Sequence, residues 1–514
     1  MPRRLGAAAG AVAAAVSLAV GELIAGWLFD APSLVVAVGD WVIDTAPPAV
    51  KDWAIAALGT ADKPALVIGI TVFSLAFGAV LGIISRVDLR VGVGGFLFFG
   101  LVGLFAGLRS PLASTIPTAF SVVVAVSAGI ASLVWLIRGL QRVSDVPSPD
   151  GSWTRRGFLT AVGGLATLAA ATAVLGRALA GRVRQAVTSR LDVVLPRPVD
   201  GAPAIPADAD LGPADPELEE LASLVVSNVD FYRIDTALTV PRVDLESWTL
   251  KVSGLVDRPY EMTFDELASL PMVERYVTLS CVSNEVGGDL VGNAKWLGVP
   301  LSEVLERAGV QAGAEQVVGR SVDDFTVGFP IEAAFDGREA LVAIGMNDEP
   351  LPFAHGFPAR LVVSGLYGYV SATKWLSEIE LTTWDGFDAY WVPRGWSKKG
   401  PIKLQSRIDV PARNTAYDPG PVTLAGVAWA PNTGVGGVEV QLGADGEWVQ
   451  AELATSLGKD SWRQWRYVWQ SPPTGQHEVR VRATDGAGRV QTSLPTPPRP
   501  DGAQGHHMRV IRVR

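Results

Sequence analysis

The stretch Thr278-Leu-Ser-Cys-Val-Ser-Asn-Glu-Val-Gly-Gly288 carries the only cysteine of the chain, Cys281, where an apolar strand runs into a glycine-containing loop. One cysteine among 514 residues forms no intrachain disulfide. It builds neither an all-cysteine zinc site nor an iron–sulfur cluster, and it excludes the C-x-x-C-H attachment of a c-type haem. The default reading of a lone cysteine is a small buried hydrophobe. A loop that follows a strand, however, is where a rigid scaffold presents a side chain to a ligand.

Around this stretch, residues 227–411 mix two periods. Trp248-Thr-Leu-Lys-Val-Ser-Gly254 alternates and stops at a turn residue, which predicts a strand. Val299-Pro-Leu-Ser-Glu-Val-Leu-Glu-Arg-Ala308 has helical spacing, with Ser302 as its expected cap. This is an α+β pattern. Residues 412–514 instead read as all-β: short alternating runs such as Val438-Glu-Val-Gln-Leu442 and His477-Glu-Val-Arg-Val-Arg482 are separated by Gly, Asp and Pro. That predicts a sandwich of the immunoglobulin-like type. Upstream, residues 185–226 are rich in Pro, Ala and Asp and are expected to form an extended tether.

The remaining N-terminal part has a different composition. Residues 1–184 hold 14 basic and 9 acidic residues, and residues 185–514 hold 29 and 43. The overall charge of -9, the pI near 5.2 and the mean hydropathy of +0.28 are therefore averages over an apolar basic block and an acidic one. The acidic balance argues against nucleic acid as a partner. Five apolar spans, at 5–29, 64–84, 91–108, 112–137 and 157–176, are each long enough to cross a hydrocarbon core of roughly 30 Å as helices. Glu22 is the one ionisable side chain within them, a functional candidate or a group reaching the interface. Residues 31–58, broken by Asp40, Asp44 and Pro47-Pro48, predict an interfacial or exposed loop with short helices.

The expected result is a multi-domain protein: a multi-pass N-terminal α-helical membrane domain in the lipid bilayer (1–184), a tether, an α+β domain and an all-β domain. Arg3 and Arg4, Arg86 and Arg90, and Arg138, Arg142, Arg155 and Arg156 fall on one side if five helices alternate. That side is then cytoplasmic and residues 185–514 face outside. Ser152-Trp-Thr-Arg-Arg-Gly-Phe-Leu159 resembles a twin-arginine translocation motif, which fits a bacterial cell membrane. The ordinary alternative is a positive loop before a helix. Because that route carries folded proteins, the motif implies a cofactor inserted before export.

Three separated segments carry a wider resemblance. The first is Thr278 to Leu305, with Cys281, Asn284, Gly287-Gly288, Ala294-Lys-Trp296 and Gly298-Val-Pro-Leu301. The second is His355-Gly-Phe-Pro-Ala-Arg360, then Gly365-Leu-Tyr-Gly-Tyr369 and Thr373-Lys-Trp375. The third is Gly426-Val-Ala-Trp-Ala430 with Trp448, Trp465 and Arg482-Ala-Thr-Asp485. Together they resemble the sulfite oxidase family of molybdopterin-dependent oxidoreductases, over roughly 225–514.

The resemblance implies that Cys281 is the thiolate ligand of a molybdenum-molybdopterin cofactor, a soft donor suited to such a centre. It implies cofactor contacts from Tyr232, Ser280, Asn284, His355, Arg360 and Lys374. It also implies catalytic roles for Arg233, as an oxyanion holder, and Tyr390, as a phenol near the metal. The implied reaction is oxygen-atom transfer on a small-molecule substrate such as sulfite or a sulfoxide. Glu285 stands where animal and plant sulfite oxidases carry a basic residue, which disfavours a dianion.

Arg394, Lys398 and Lys399 would either draw in an anion or form a solvated turn. The four histidines lie outside the spans, so a bis-histidine haem within the membrane block is not expected. That block is then an anchor, or it docks a separate cytochrome or quinone electron partner. The family also implies a homodimer through residues 412–514. The competing class is a non-catalytic membrane receptor or scaffold with an immunoglobulin-like module.

Overall fold

The computed structural model describes residues 3–28, 31–58, 61–111, 113–142, 154–187, 190–212, 215–412 and 416–514. Ser152 and Trp153 of the twin-arginine-like motif lie outside the described residues. The chain divides into two compact units, Met1–Ser189 with Ala237–Val240, and Arg190–Thr236 with Pro241–Arg514.

The first unit is helical: α1 (Arg3–Trp27), α2 (Leu34–Thr45), α3 (Pro48–Leu58), α4 (Asp62–Ser85), α5 (Leu89–Leu108), α6 (Thr115–Gln141) and α7 (Arg155–Val187). Among the described residues, α1, α4, α5, α6 and α7 are long and apolar enough to cross a membrane. Their limits differ from the expected spans at the ends. α7 runs on to Val187, beyond the expected 176, because a helical backbone does not stop where its charges begin. α6 starts at Thr115, with Pro117 in its first turn, where a missing N–H costs nothing.

Small residues let the helices of this unit approach closely. A Cβ on Gly10 of α1 would lie 2.0 Å from the Gly78 carbonyl oxygen of α4, and one on Gly26 would lie 2.1 Å from that of Gly176 in α7. Most of residues 31–58 is helical, and α2 buries Val35, Ala37 and Gly39. The Ser33 hydroxyl caps α2 and donates to Glu22 Oε1 at 2.5 Å, so the one ionisable residue of the first span has a local partner.

The second unit opens with an extended segment that is not a free tether. Ala209, Leu218, Leu221 and Leu224 are buried. The Leu224 carbonyl accepts from Asn293 Nδ2 at 2.9 Å and from Trp462 Nε1 at 2.8 Å. Its proline-rich composition predicts an extended tether, but its scattered leucines pack.

Ten strands follow: β1 (Thr249–Gly254), β2 (Tyr260–Thr263), β3 (Val273–Ser280), β4 (Val291–Pro300), β5 (Gln316–Ser321), β6 (Thr326–Pro330), β7 (Ala340–Met346), β8 (Glu349–Pro350), β9 (Arg360–Val363) and β10 (Leu376–Thr382). One sheet has the order β2-β1-β10-β5-β6, and a second has the order β3-β4-β7-β8 with β9 also on β7. Three short helices accompany them, α8 (Phe264–Ala268), α9 (Leu301–Ala308) and α10 (Gly368–Ser371). The α9 helix starts after Pro300 with no side-chain cap, so Ser302 lies inside the first turn rather than at the cap.

The last strands are β11 (Gln405–Val410), β12 (Ala416–Tyr417), β13 (Val422–Trp429), β14 (Val435–Leu442), β15 (Trp448–Gln450), β16 (Glu452–Leu453), β17 (Arg463–Trp469), β18 (Gly475–Asp485) and β19 (His507–Val513). They form two sheets, β11-β13-β17-β16 and β12-β19-β18-β14-β15. Ile408, Leu424 and Trp465 of the first share one core with Val438, Val440, Val481 and Ile511 of the second. The β region therefore begins at Gln405, ahead of the expected 412. The pairing of β11 with β13 joins residues about 15 to 24 positions apart, which no local pattern announces.

Candidate active site

The β3–β4 hairpin builds the centre of the site. Its antiparallel register ends at Ser280 opposite Val291, and the last four residues of β3 are buried. Cys281 is the next residue, and its side chain is buried in turn. The neck of the loop is closed by Cys281 N donating to the Leu290 carbonyl at 2.9 Å. Asn284 Oδ1 accepts from Leu290 N at 2.9 Å, while the amide Nδ2 of Asn284 is buried without a partner. Ser280 is buried and its hydroxyl donates to the Cys281 carbonyl at 3.3 Å. Burial pushes the Cys281 thiol pKa up, and the Ser283 amide, 3.4 Å from Sγ, opposes that shift.

A second group comes from β9 and the turns around it. Gly356, at φ +112°, lets residues 353–361 press onto 373–376; a Cβ there would be 3.0 Å from Lys374 Cα and 3.1 Å from Arg360 Cβ. Arg360 is 5% exposed. Its Nη1 donates to the His355 carbonyl at 3.1 Å, and its guanidinium lies 4.9 Å from the Trp296 ring centre. Among the described residues no carboxylate pairs with it, and burial lowers its pKa to about 10. His355 shares a 2.9 Å hydrogen bond with the Asn228 carbonyl and meets Phe231 edge-on. Burial, with Arg360 second, lowers its pKa to about 4, so it is neutral at pH 7.

Residues 228–235 supply the third group. Tyr232 stacks on Phe231 with ring centres 5.2 Å apart. Burial and the charge of a Cys281 thiolate raise its phenol pKa, and Arg360 opposes them, so these three groups form one electrostatic cluster. Arg233 is not available in the simple form expected of it: its Nε lies 2.7 Å from Asp235 Oδ2. Lys374 Nζ is 2.8 Å from the same carboxylate oxygen, and burial lowers its pKa to about 8 against the pull of Asp235.

Tyr390 is held differently. It packs on Phe325 and Trp391, its amide donates to Thr326 Oγ1 at 3.0 Å, and the Arg394 guanidinium lies 3.7 Å from its ring centre. These contacts tie it to β6 and the Arg394 turn, not to Cys281. Lys398 pairs with Asp388 at 2.7 Å and Lys399 lies over Trp384, which matches the solvated-turn alternative for this basic run. Glu285 is exposed on the cysteine loop.

Three participants escaped the sequence reading. Asp235 stands two residues after Arg233, and that spacing is the available signal. Trp296 stands in the Ala294-Lys-Trp296 motif, which does not announce that its ring lies under the Arg360 guanidinium. Tyr367 is buried and its hydroxyl accepts from Lys403 N at 3.3 Å; burial raises its phenol pKa, with smaller contributions from Asp501 and a Cys281 thiolate.

The donor set fits a molybdopterin. A buried guanidinium without a carboxylate and an amide donor on Asn284 without a partner among the described residues are costly features that a bound anionic group would satisfy, and the buried Cys281 thiol beside them is a soft donor suited to its metal.

Comparison with known proteins agrees. The family model described as the oxidoreductase molybdopterin binding domain matches residues 237–391, which include Cys281, His355, Arg360 and Lys374 but not Tyr232 or Arg233. The mitochondrial sulfite oxidase of Rattus norvegicus is 27% identical over 334 residues, 55% of this chain and 60% of its own length. The sulfite oxidase of Arabidopsis thaliana is 28% identical over 335 residues, 54% of this chain and 85% of its own. An uncharacterized oxidoreductase of Bacillus subtilis is 33% identical over 157 residues, 30% of this chain and 76% of its own. Among solved structures, the sulfane dehydrogenase SoxCD of Paracoccus pantotrophus shares the fold, with a TM-score of 0.50 at 21% identity over 57% of this chain and 82% of that one. The chain belongs to the sulfite oxidase family of molybdopterin-dependent oxidoreductases.

Proposed function

We propose that this protein is a membrane-anchored oxidoreductase that transfers an oxygen atom to or from a small substrate such as sulfite or a sulfoxide. The observation that carries the reading is the buried Cys281 at the neck of the β3–β4 hairpin, together with Tyr232 and with a buried Arg360 guanidinium that no carboxylate among the described residues pairs with. Cys281 would hold the molybdenum as its thiolate. Bound metal would reverse the effect of burial on the thiol, because a coordinated sulfur is deprotonated outright. Arg360 and Lys374 would take the anionic part of the pterin cofactor, Arg360 as a planar fork and Lys374 as a point charge. Asn284 Nδ2 would donate to the same group, while His355 and Ser280 keep Arg360 and Cys281 in place. When bound, the cofactor supplies two-electron oxygen-atom exchange.

The chain's own residues then set what enters. The Tyr232 phenol, kept protonated by its surroundings, is a hydrogen-bond donor beside Cys281. Arg233 would greet an anion only by sharing Asp235, and exposed Glu285 repels a second negative charge. Both favour a singly charged or neutral substrate. Tyr390 would act on substrate from the Arg394 turn.

The five apolar helices would anchor the enzyme in a bacterial cell membrane. The arginine distribution and the twin-arginine-like motif support a catalytic unit on the outer face. Electrons would pass to a separate cytochrome or quinone, and the β region, read as immunoglobulin-like, would support a homodimer. The test combines metal analysis with a substrate screen in both directions, using an artificial electron carrier. Molybdenum with pterin in the wild type, and its loss with activity in Cys281→Ser, are expected; full turnover in that variant would sink the proposal.

A further inference from the structure

The loop that carries Cys281 is not held by its own domain alone. Gly288, near its tip, presents its carbonyl to Nη1 of Arg407 at 2.7 Å. Arg407 belongs to β11, the first strand of the C-terminal β region. It is 8% exposed, and its Nε and Nη2 both face Asp409, at 2.6 Å and 3.4 Å. Asp409 in turn accepts from the Ala222 amide at 3.1 Å, so the guanidinium is fixed on its far side before it reaches the loop.

Beside it, His507 of β19 accepts from the Ile408 amide through Nδ1 at 2.9 Å. Its ring fills the space under Gly287: a Cβ there would come within 2.2 Å of it. Gly287 has φ +77°, a conformation that suits glycine. The tip of the loop is thus fixed from outside by an arginine and a histidine, while its neck is closed by the Cys281–Leu290 pair.

We propose that Arg407 is a positioning residue for Cys281, acting through the Gly288 carbonyl, so that the C-terminal β region sets where the thiolate stands. This rests on the reading of Cys281 as the metal ligand. The chemistry is that of a charge-assisted hydrogen bond in a site poor in water, where the donor cannot be replaced by solvent without opening the loop. Arg suits the task because one planar group spans both Asp409 and the loop carbonyl, which a single ammonium does not. The arrangement also explains a buried Arg–Asp pair in a strand whose other side chains are core: it holds a loop of another sheet.

The test uses the full-length protein, purified without cofactor from a host that makes no molybdopterin. Cys281 is the only cysteine, so iodoacetamide uptake reports on it alone. The double variant Arg407→Met with Asp409→Asn removes the clamp without stranding a buried carboxylate, since Asn still accepts from Ala222. Arg482→Met is the control, because it breaks a comparable sandwich ion pair, Arg482–Glu439 at 2.8 Å, away from the loop.

The expected result is alkylation at least about tenfold faster in the double variant, with the control within about twofold of wild type. In molybdenum-loaded protein, the double variant should also shift the paramagnetic signature of the pentavalent metal. A wild-type alkylation rate in the double variant overturns the proposal, as does equal acceleration in the control. Molybdenum content of the wild type reports separately on the cofactor reading.

Discussion

Lys374 and Asp235 form a buried ion pair, Nζ to Oδ2 at 2.8 Å, with the carboxylate side chain 4% exposed and the lysine side chain 10% exposed. Arg233 reaches the same oxygen from the surface side. One carboxylate therefore holds both Lys374, proposed to meet the cofactor, and Arg233, proposed to meet substrate.

Removing that carboxylate should be costly. Asp235→Ala leaves Lys374 buried without its counter-charge, for a loss of about 3 kcal/mol in unfolding free energy. Adding Lys374→Met should recover most of it, because a pair replaced together strands no charge. Chemical denaturation of the two variants checks this; equal losses in single and double variants would show that the pair is not coupled.

His355 makes stability depend on pH. Its folded pKa, about 4, is below the unfolded value near 6.5. The unfolded chain therefore binds the proton first as pH falls, so stability drops between pH 6.5 and 4 and its cost is complete below 4. At pH 5 the loss from this group is about 2 kcal/mol. His355→Gln should flatten that part of the profile, measured by unfolding at pH 7 and pH 5.

Arg360 should show opposite effects on stability and on binding. Burial of a guanidinium without a carboxylate is unfavourable, so Arg360→Met should stabilise the cofactor-free protein by about 1 kcal/mol. The same variant should weaken cofactor retention by about 10- to 100-fold, the worth of charge-assisted hydrogen bonds. Unfolding curves and pterin content after dialysis measure the two effects separately.

In the helical unit, Gly10→Val would place side-chain atoms against the Gly78 carbonyl and should prevent the protein from accumulating in membranes. Gly94→Ala, where an added Cβ meets nothing within 4 Å, should leave accumulation unchanged. Membrane-fraction yield of the two variants decides the point.

The legible parts of the molecule were those written in local pattern. Uncharged runs gave the five long helices, and alternation gave β1, β14 and β18. Cys281, His355, Arg360 and Lys374 are named from ordered motifs, and all four are buried. What escaped was held by contacts across long sequence distances. Nothing near Leu218 or Leu224 announces that a proline-rich segment will pack. Neither does the sequence around Gln405 show that it pairs with Trp429 rather than closing the preceding domain. Asp235 and Arg407 act through partners 139 and 119 positions away, beyond any periodicity.

The carbonyl of Leu224 takes one hydrogen bond from Asn293 in β4 and one from Trp462, the residue before β17. Asn293 lies in the cysteine hairpin and Trp462 in the C-terminal β region, so a single backbone carbonyl ties both to the segment that precedes them. Leu224 is in that sense a rivet: freeing it would loosen the hairpin and the C-terminal β region together.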